Sequence, residues 1–152
     1  MRLLLQRVSK GQVIIDEKTV GQIDRGIVAL IGIRSGDRKR DADYLLSKCV
    51  NMRIFPDELG RFDKSLLETA GDLLVISQFT LYADTRKGRR PGFSDAAMPE
   101  EAVPLYDYFI EKAQALGLKV ETGEFGADMK IDIVNDGPVT IMIDSEDKYP
   151  RI

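Results

Sequence analysis

The chain has 152 residues, of which 43% are hydrophobic and 31% are charged, and its formal net charge is −3. This composition is typical of a folded globular domain and excludes a disordered chain, and no apolar run reaches the ~18 residues that a membrane span needs. With no histidine and one cysteine, the chain excludes histidine-dependent nucleophilic catalysis, histidine-ligated zinc and an internal disulfide, whereas carboxylate-bound magnesium stays open. We expect one domain over residues 1–152 and a cytoplasmic location.

In the first half of the chain, short apolar runs predict strands and one amphipathic helix. Strands are expected at residues 3–8, 12–15 and 20–23, and a strand buried on both faces at 26–33, with turns at 10–11, 16–18 and 56–60. Asp37 is the expected N-cap of the helix. The helix has apolar residues at helical spacing, namely Ala42, Leu45, Leu46, Cys49 and Val50. Cys49 lies on this apolar face, which favours a buried structural thiol over a nucleophile.

In the second half, a central strand is expected over residues 71–81 and a second helix over 100–116. Pro104 should lie in or near the first turn of that helix, and Gly117 should end it. Further strands are expected at 118–121, 130–134 and 139–143. Many strands, two helices and mostly hairpin-like connections predict an α+β fold, with mostly antiparallel sheets in a barrel-like or sandwiched core.

The end of the central strand carries hydroxyl and amide side chains in the order Ser77-Gln78-Phe79-Thr80. Because side chains alternate along a strand, we expect Ser77 and Phe79 on one face and Gln78 and Thr80 on the other. The pattern fits either a strand that becomes polar as it leaves the core or a site at which chemistry takes place.

A basic cluster follows this strand. Arg86, Lys87, Arg89 and Arg90 lie within five residues of each other in an acidic chain. The cluster fits either a solvated loop or a surface for a partner that carries several phosphates. Phe93, just beyond it, is a single aromatic residue of the kind that stacks on a nucleobase.

Residues 135–140, with the sequence Asn-Asp-Gly-Pro-Val-Thr, lie between two apolar runs. Their composition is typical of a hairpin turn. Alternatively, the Gly137-Pro138 pair presents two carbonyls that would accept hydrogen bonds from an ammonium group, in an orientation that depends on whether the peptide is cis or trans. Residues 125–129, with the sequence Phe-Gly-Ala-Asp-Met, indicate either tight packing or the wall of a small pocket.

Together these residues resemble the D-aminoacyl-tRNA deacylase family, of the D-tyrosyl-tRNA deacylase type. The resemblance rests on residues 77–91 and 135–140 and extends to 6–8, 51–55 and 125–127, so it covers nearly the full length. It implies a homodimer that hydrolyses the ester joining a D-amino acid, or glycine, to the 3′ end of tRNA and rejects L-aminoacyl-tRNA. It implies no metal or organic cofactor.

The same resemblance implies roles for individual residues. The catalytic pocket would contain Ser77, Gln78, Phe79 and Thr80. A cis Gly137-Pro138 pair would enter the pocket of the partner subunit and select the chirality of the substrate, with Met129 and Phe125 in the substrate-binding part of the pocket. The tRNA would bind Arg86, Lys87, Arg89 and Arg90.

Two positions depart from the family pattern, because Gly92 stands where serine is expected and Asp128 stands where the residue is often apolar. Residues 146–152 lie past the last motif and carry no expected role.

Ester hydrolysis without histidine needs other groups. The backbone N–H groups around Phe79 and Thr80 are the candidate oxyanion donors. Either Thr80 acts as the nucleophile or the adjacent 2′-hydroxyl of the terminal adenosine assists. The alternatives to an enzyme are a non-catalytic RNA-binding protein that uses residues 86–90 and a structural dimerisation module.

Overall fold

Residues 1–151, which the computed structural model describes, form a mixed β-sheet with two α-helices. The strands are β1 (Arg2–Ile15), β2 (Lys18–Ile23), β3 (Gly26–Gly32), β4 (Phe55–Pro56), β5 (Phe62–Lys64), β6 (Asp72–Ser77), β7 (Val120–Thr122) and β8 (Lys130–Asp144). The helices are α1 (Lys39–Asn51) and α2 (Pro99–Gln114), and short 3₁₀ helices span Phe79–Tyr82 and Ser145–Asp147.

The main sheet is built around β1, which pairs antiparallel with β2, β3 and β8. The sheet continues from β3 through β6 to β7 in parallel pairs. It curls until β2 meets β7, where a Cβ on Gly21 would lie only 2.4 Å from the carbonyl oxygen of Thr122, so the approach requires glycine. The predicted α+β fold with a barrel-like core is therefore confirmed, as a mixed and nearly closed sheet with two helices.

Apolar side chains are buried on both faces of this sheet. On one face, a large cluster that includes Leu5, Leu73 and Phe109 lies between the sheet and the two helices. On the other face, a smaller cluster includes Val28 and Leu74. Strands β3 and β6 contribute to both clusters, which explains why their sequences are continuous apolar runs without alternation.

The predicted break between the first two strands is wrong. Residues 3–8 and 12–15 belong to one strand, β1, because β8 pairs with it on both sides of Lys10-Gly11 and ladder irregularities replace the turn. Gly11 serves close packing, since a Cβ there would lie 2.7 Å from Cγ2 of Val28.

The central strand is shorter than predicted and ends at Ser77. The backbone N–H of Gln78 still donates to the carbonyl of Ile31 at 2.8 Å, and the chain then turns into the 79–82 helix, where Leu81 N–H donates to the Gln78 carbonyl at 3.2 Å. The expected alternation from Ser77 to Thr80 is therefore wrong beyond Ser77, because three residues per turn replace two.

The hairpin turn predicted at residues 135–140 is also wrong. Residues 130–134 and 139–143 lie in the single strand β8, and both pair with β1 and not with each other. The intervening residues form a bulge in this strand.

Both helices are present near their predicted positions, but two details differ. Asp37 is not the N-cap of α1, which is Arg38; the Asp37 carboxylate instead accepts the backbone N–H of Arg34 at 2.6 Å. Pro104 lies beyond the first turn of α2, which begins at Pro99. Pro104 is exposed, so water can hydrate the carbonyl that its missing N–H leaves free.

Candidate active site

A cavity of about 280 Å³ opens at the carboxyl end of β6. The ends of β3 and β6, the residues around the start of α2 and the segment 125–131 surround it. Its lining is mostly apolar and consists of Ile31, Ile33, Ile76, Ser77, Gln78, Phe79, Ala97, Ala102, Phe125, Gly126, Ala127, Asp128, Met129 and Ile131. Asp128, an exposed residue, is the ionisable side chain in this lining.

The 79–82 helix forms one edge of the cavity and presents free backbone donors. The first N–H groups of a helix have no partner within it. Among residues 1–151, neither Phe79 nor Thr80 donates its amide N–H to a backbone or side-chain acceptor outside the helix. Phe79 lines the cavity and Thr80 follows it directly, so two adjacent amides without a protein acceptor lie beside the cavity.

The side chains of this segment lie in different surroundings. Ser77, Gln78 and Phe79 line the cavity, whereas Thr80 is exposed and lies outside the lining. The side-chain amide of Gln78 donates a hydrogen bond to the Thr80 hydroxyl. Phe79 is 57% exposed and makes an edge-on contact with Phe93, with ring centres 5.0 Å apart.

Residues 125–129 form the opposite wall of the cavity. Phe125 makes an edge-on contact with Tyr106 at 5.7 Å, and the Tyr106 hydroxyl donates to the carbonyl of Val75 at 2.9 Å, so the wall is fastened to the central strand. Met129 sits close to Gly123, where a Cβ would lie 2.5 Å from the methionine sulfur. The small residue at position 123 thus leaves room for Met129 beside the cavity.

The Gly137-Pro138 peptide is cis and lies in the bulge of β8. The β1–β8 ladder pairs Val8 with Asn135 and Gln6 with Thr140 and omits residues 136–139. Both Gly137 and Pro138 are exposed, and they do not line this cavity. The bulge therefore leaves Gly137 and Pro138 accessible at the surface of the subunit.

Two side chains hold this bulge in place. Arg7 is 8% exposed; it donates to the carbonyl of Asp136 at 2.8 Å and to the carbonyl of Ile54 at 2.6 Å. The Asn135 side chain accepts the backbone N–H of Val139 at 2.7 Å and donates to the Val139 carbonyl at 3.2 Å. The bulge is thus anchored on both sides of Gly137-Pro138.

Sequence reasoning assigned no role to Arg7, although a signal was present. Leu3 and Leu5 alternate inward along β1, and the same alternation carries position 7 to the buried face. A cation at such a position requires strong acceptors, which here are backbone carbonyls.

The basic loop is closed by a backbone bridge between Asp84 and Gly92, with hydrogen bonds of 2.8 and 2.9 Å. Arg86 pairs with the Asp84 carboxylate, and its hydrogen bonds lower the pKa of that carboxyl to about 2. Within residues 1–151, Lys87, Arg89 and Arg90 have no carboxylate partner within 4.0 Å. A Cβ on Gly92 would meet only ordinary contacts, so the departure from serine there does not alter the bridge.

The described part of the chain holds no group of three or more Asp, Glu or Cys side chains arranged to bind a metal ion.

Cys49 is fully buried, as predicted, and burial raises the pKa of its thiol to about 12. No helix in residues 1–151 is long and apolar enough to cross a membrane.

Comparison with known proteins agrees with this geometry. Residues 4–144 match the family described as D-Tyr-tRNA(Tyr) deacylase. The chain is 50% identical to the D-aminoacyl-tRNA deacylase of Clostridioides difficile (strain 630) over 98% of its own length and 100% of that protein. It is 53% identical to the D-aminoacyl-tRNA deacylase of Syntrophomonas wolfei over 96% of its length and 98% of that protein.

The fold is also found among solved structures. The structure titled c-Myc DNA Unwinding Element Binding Protein superposes with a TM-score of 0.89 at 35% identity, covering 95% of this chain and 98% of that one.

The alternatives of a non-catalytic RNA-binding protein and of a structural dimerisation module are set aside, because the family that residues 4–144 match is one of hydrolases. The chain belongs to the D-aminoacyl-tRNA deacylase family and is a hydrolase that acts on aminoacyl-tRNA.

Proposed function

We propose that this deacylase hydrolyses the ester of D-aminoacyl-tRNA and of glycyl-tRNA and rejects L-aminoacyl-tRNA through the Gly137-Pro138 pair of a partner subunit. One observation carries the proposal: the pair is exposed on an anchored bulge, while the cavity of the same protomer lacks it. Carbonyls held in a fixed direction accept hydrogen bonds from a substrate ammonium group. They thereby fix the α-carbon so that only a hydrogen atom fits on the side where an L-amino acid carries its side chain.

The partner would be a second copy of this chain. A row of three apolar side chains crosses the sheet beside the bulge. Leu4 of β1 lies between its ladder partners Met142 of β8 and Leu30 of β3, and all three remain partly exposed. An apolar row beside the bulge is suited to self-association, which in a two-fold dimer would carry each bulge towards the other subunit.

For the chemistry, the free amides of Phe79 and Thr80 would stabilise the oxyanion that forms when the ester carbonyl is attacked. Of the two donors, Phe79 lines the cavity, in which Phe125 and Met129 would accommodate the terminal part of the substrate. Removing one such donor typically lowers the rate by ~10²–10³.

Proton handling would not depend on Thr80. Its hydroxyl is engaged by the amide of Gln78, which is not a base, and activation of a hydroxyl nucleophile needs a base. We therefore favour assistance by the 2′-hydroxyl of the terminal adenosine, with the protein supplying position and electrostatics. The cations Lys87, Arg89 and Arg90 would hold the tRNA phosphates.

The experiment that tests the function is hydrolysis of D-Tyr-tRNA, L-Tyr-tRNA and Gly-tRNA by the wild-type protein. We expect ester loss with the first and third substrates and none with the second. Hydrolysis of the L-substrate at the rate of the D-substrate would contradict the proposed selection.

A second experiment tests the proton route. Thr80→Ala should keep activity on D-Tyr-tRNA, and activity should vanish on a tRNA that ends in 2′-deoxyadenosine. Asp128→Asn should keep activity as well, because an exposed carboxylate at the cavity is not required by this route. Complete loss of activity in a folded Thr80→Ala dimer would count against the RNA-assisted mechanism.

A further inference from the structure

Arg2, at the start of β1, joins the 79–82 helix to the end of β8. Its Nη1 donates to the carbonyl of Leu81 at 2.8 Å, and its Nε donates to Oδ2 of Asp144 at 2.8 Å. The guanidinium carbon lies 4.6 Å from the centre of the Tyr82 ring. One side chain therefore makes a hydrogen bond, an ion pair and a cation–π contact at the edge of the candidate active site.

The 79–82 helix has little of its own to fix its orientation. It comprises one 3₁₀ turn, and such a turn has weak internal hydrogen bonding. At its beginning, the N–H of Gln78 is held by the carbonyl of Ile31. At its end, the carbonyl of Leu81 has no partner within the helix and is taken by Arg2, while Tyr82 is buried beneath the guanidinium.

Asp144 fixes the guanidinium in turn. It is the last residue of β8, and its second carboxylate oxygen accepts the backbone N–H of Glu146 at 3.0 Å. The Arg2 side chain is 37% exposed and the Asp144 side chain 21%, so the pair is partly shielded from water. Although burial acts to raise the pKa of Asp144, the hydrogen bonds from Arg2 and from the Glu146 amide leave it lowered.

We propose that Arg2 is a positioning residue for deacylation, which holds the amides of Phe79 and Thr80 in place through the Leu81 carbonyl and the Tyr82 ring. Asp144 orients Arg2 for this task. This inference rests on the proposed function, because it assumes that the two amides bind the oxyanion. It adds that the geometry of these donors depends on a contact outside the cavity.

The test uses Arg2→Gln, Arg2→Lys and Asp144→Asn in the full-length protein, with Arg53→Gln as the matched control. Arg53 also bonds one carbonyl and one carboxylate, those of Asp63, at 2.6 and 2.7 Å, but it does not contact the 79–82 helix. Rates are measured with D-Tyr-tRNA per folded protein, with kcat and KM determined separately.

We expect Arg2→Gln to lower kcat by roughly 10- to 100-fold, because a misplacement of about 1 Å in a catalytic group costs up to that factor. KM should stay unchanged, since Arg2 lies outside the basic loop that is proposed to bind the tRNA phosphates. Arg2→Lys and Asp144→Asn should be intermediate, and Arg53→Gln should match the wild type. The backbone amide resonances of Phe79 and Thr80 should shift in Arg2→Gln and not in the control.

The outcomes separate the two proposals. If the wild type does not hydrolyse D-Tyr-tRNA, the proposed function fails. If the wild type is active and Arg2→Gln keeps its kcat, the role of Arg2 is refuted while the function stands. A loss of activity that only follows the unfolded fraction, or that Asp144→Asn does not share, would also overturn the inference.

Discussion

Gly137 is the position at which a single methyl group should most strongly disturb the candidate site. Its φ is +147°, a conformation that residues with a side chain rarely adopt. A Cβ there would lie 2.7 Å from Cγ2 of Val139 and 3.1 Å from Nη2 of Arg7. Gly137→Ala should therefore strain the backbone, crowd Val139 and displace the Arg7 guanidinium, which holds one side of the bulge.

The magnitude follows from these two effects. A residue with a side chain in this glycine-only region costs about 1–3 kcal/mol, and overpacking adds about 1–3 kcal/mol. The contact with Val139 cannot relax easily, because a β-branched side chain in a strand has few rotamers. We expect a loss of at least about 2 kcal/mol in the free energy of unfolding.

Gly117→Ala is the matched control. Gly117 has a φ of +80° and no atom within 4 Å of a Cβ, so only the backbone term of about 1–2 kcal/mol applies. Both variants are unfolded in urea at one protein concentration and assayed with D-Tyr-tRNA and L-Tyr-tRNA. We expect Gly137→Ala to be the less stable variant and to lose at least about tenfold in kcat/KM for the D-substrate, which is 1.4 kcal/mol of transition-state binding.

The control should keep wild-type activity on both substrates. If Gly137→Ala unfolds at the same urea concentration as Gly117→Ala, the close packing of Gly137 against Val139 and Arg7 does not stabilise the bulge. If Gly137→Ala also keeps its activity and its D/L ratio, the bulge does not contribute to selection.

The remaining predictions concern charge. Replacing Lys87, Arg89 and Arg90 with glutamine should reduce the slope of log K for tRNA binding against log salt concentration, by up to about 0.7–0.9 for each phosphate that is no longer neutralised. Arg86→Gln should change this slope least, because Asp84 already neutralises Arg86. A slope that does not change in the triple variant would mean that the loop is only solvated. The Cys49 thiol should not react with a disulfide reagent at pH 8 in the native protein and should react in urea, because burial raises its pKa from 9.0 to about 12. The unfolded chain loses this proton first, so stability should fall as pH rises from 9 towards 12, and unfolding midpoints that do not change over this range would contradict the burial argument.

The sequence predicted the fold class because hydrophobic periodicity and buried runs are local signals. The run predicted at residues 26–33 corresponds to β3, which ends one residue earlier, and the apolar spacing around Leu45 and Cys49 lies in α1. Ser77 and Phe125, which the resemblance assigned to one pocket, both line the cavity, and their role in binding the substrate stays a prediction. These agreements concern which segments exist and which of them meet.

The errors concern non-local pairing. Asn-Asp-Gly-Pro between two apolar runs has the composition of a hairpin turn, but both runs of β8 pair with the long strand β1, so the turn residues form a bulge. The polar end of the central strand leaves the sheet after Ser77, whose ladder partner Ile31 lies one residue before the end of β3. Neither outcome is encoded within the segment concerned.

The buried contacts that hold the site could not be predicted for the same reason. Arg7 meets the carbonyls of Ile54 and Asp136, which lie 47 and 129 residues away along the chain. The two bonds of Arg2 reach across 79 and 142 residues. Such partners are known only when the sheet has brought the segments together.

The central claim is that each active site combines the cavity of one subunit with the Gly137-Pro138 bulge of the other. Two defective variants test it when they are combined. Phe79→Pro removes one proposed oxyanion donor at the first position of a helix, where proline is tolerated, and Gly137→Ala disturbs the bulge.

The decisive measurement is the rate of D-Tyr-tRNA hydrolysis by a purified heterodimer that contains one subunit of each variant, compared with both parent homodimers. One of its two sites would join an intact cavity to an intact bulge, so we predict about half of the wild-type rate per dimer, well above either parent. A heterodimer no more active than the mean of its parents would contradict the composite site.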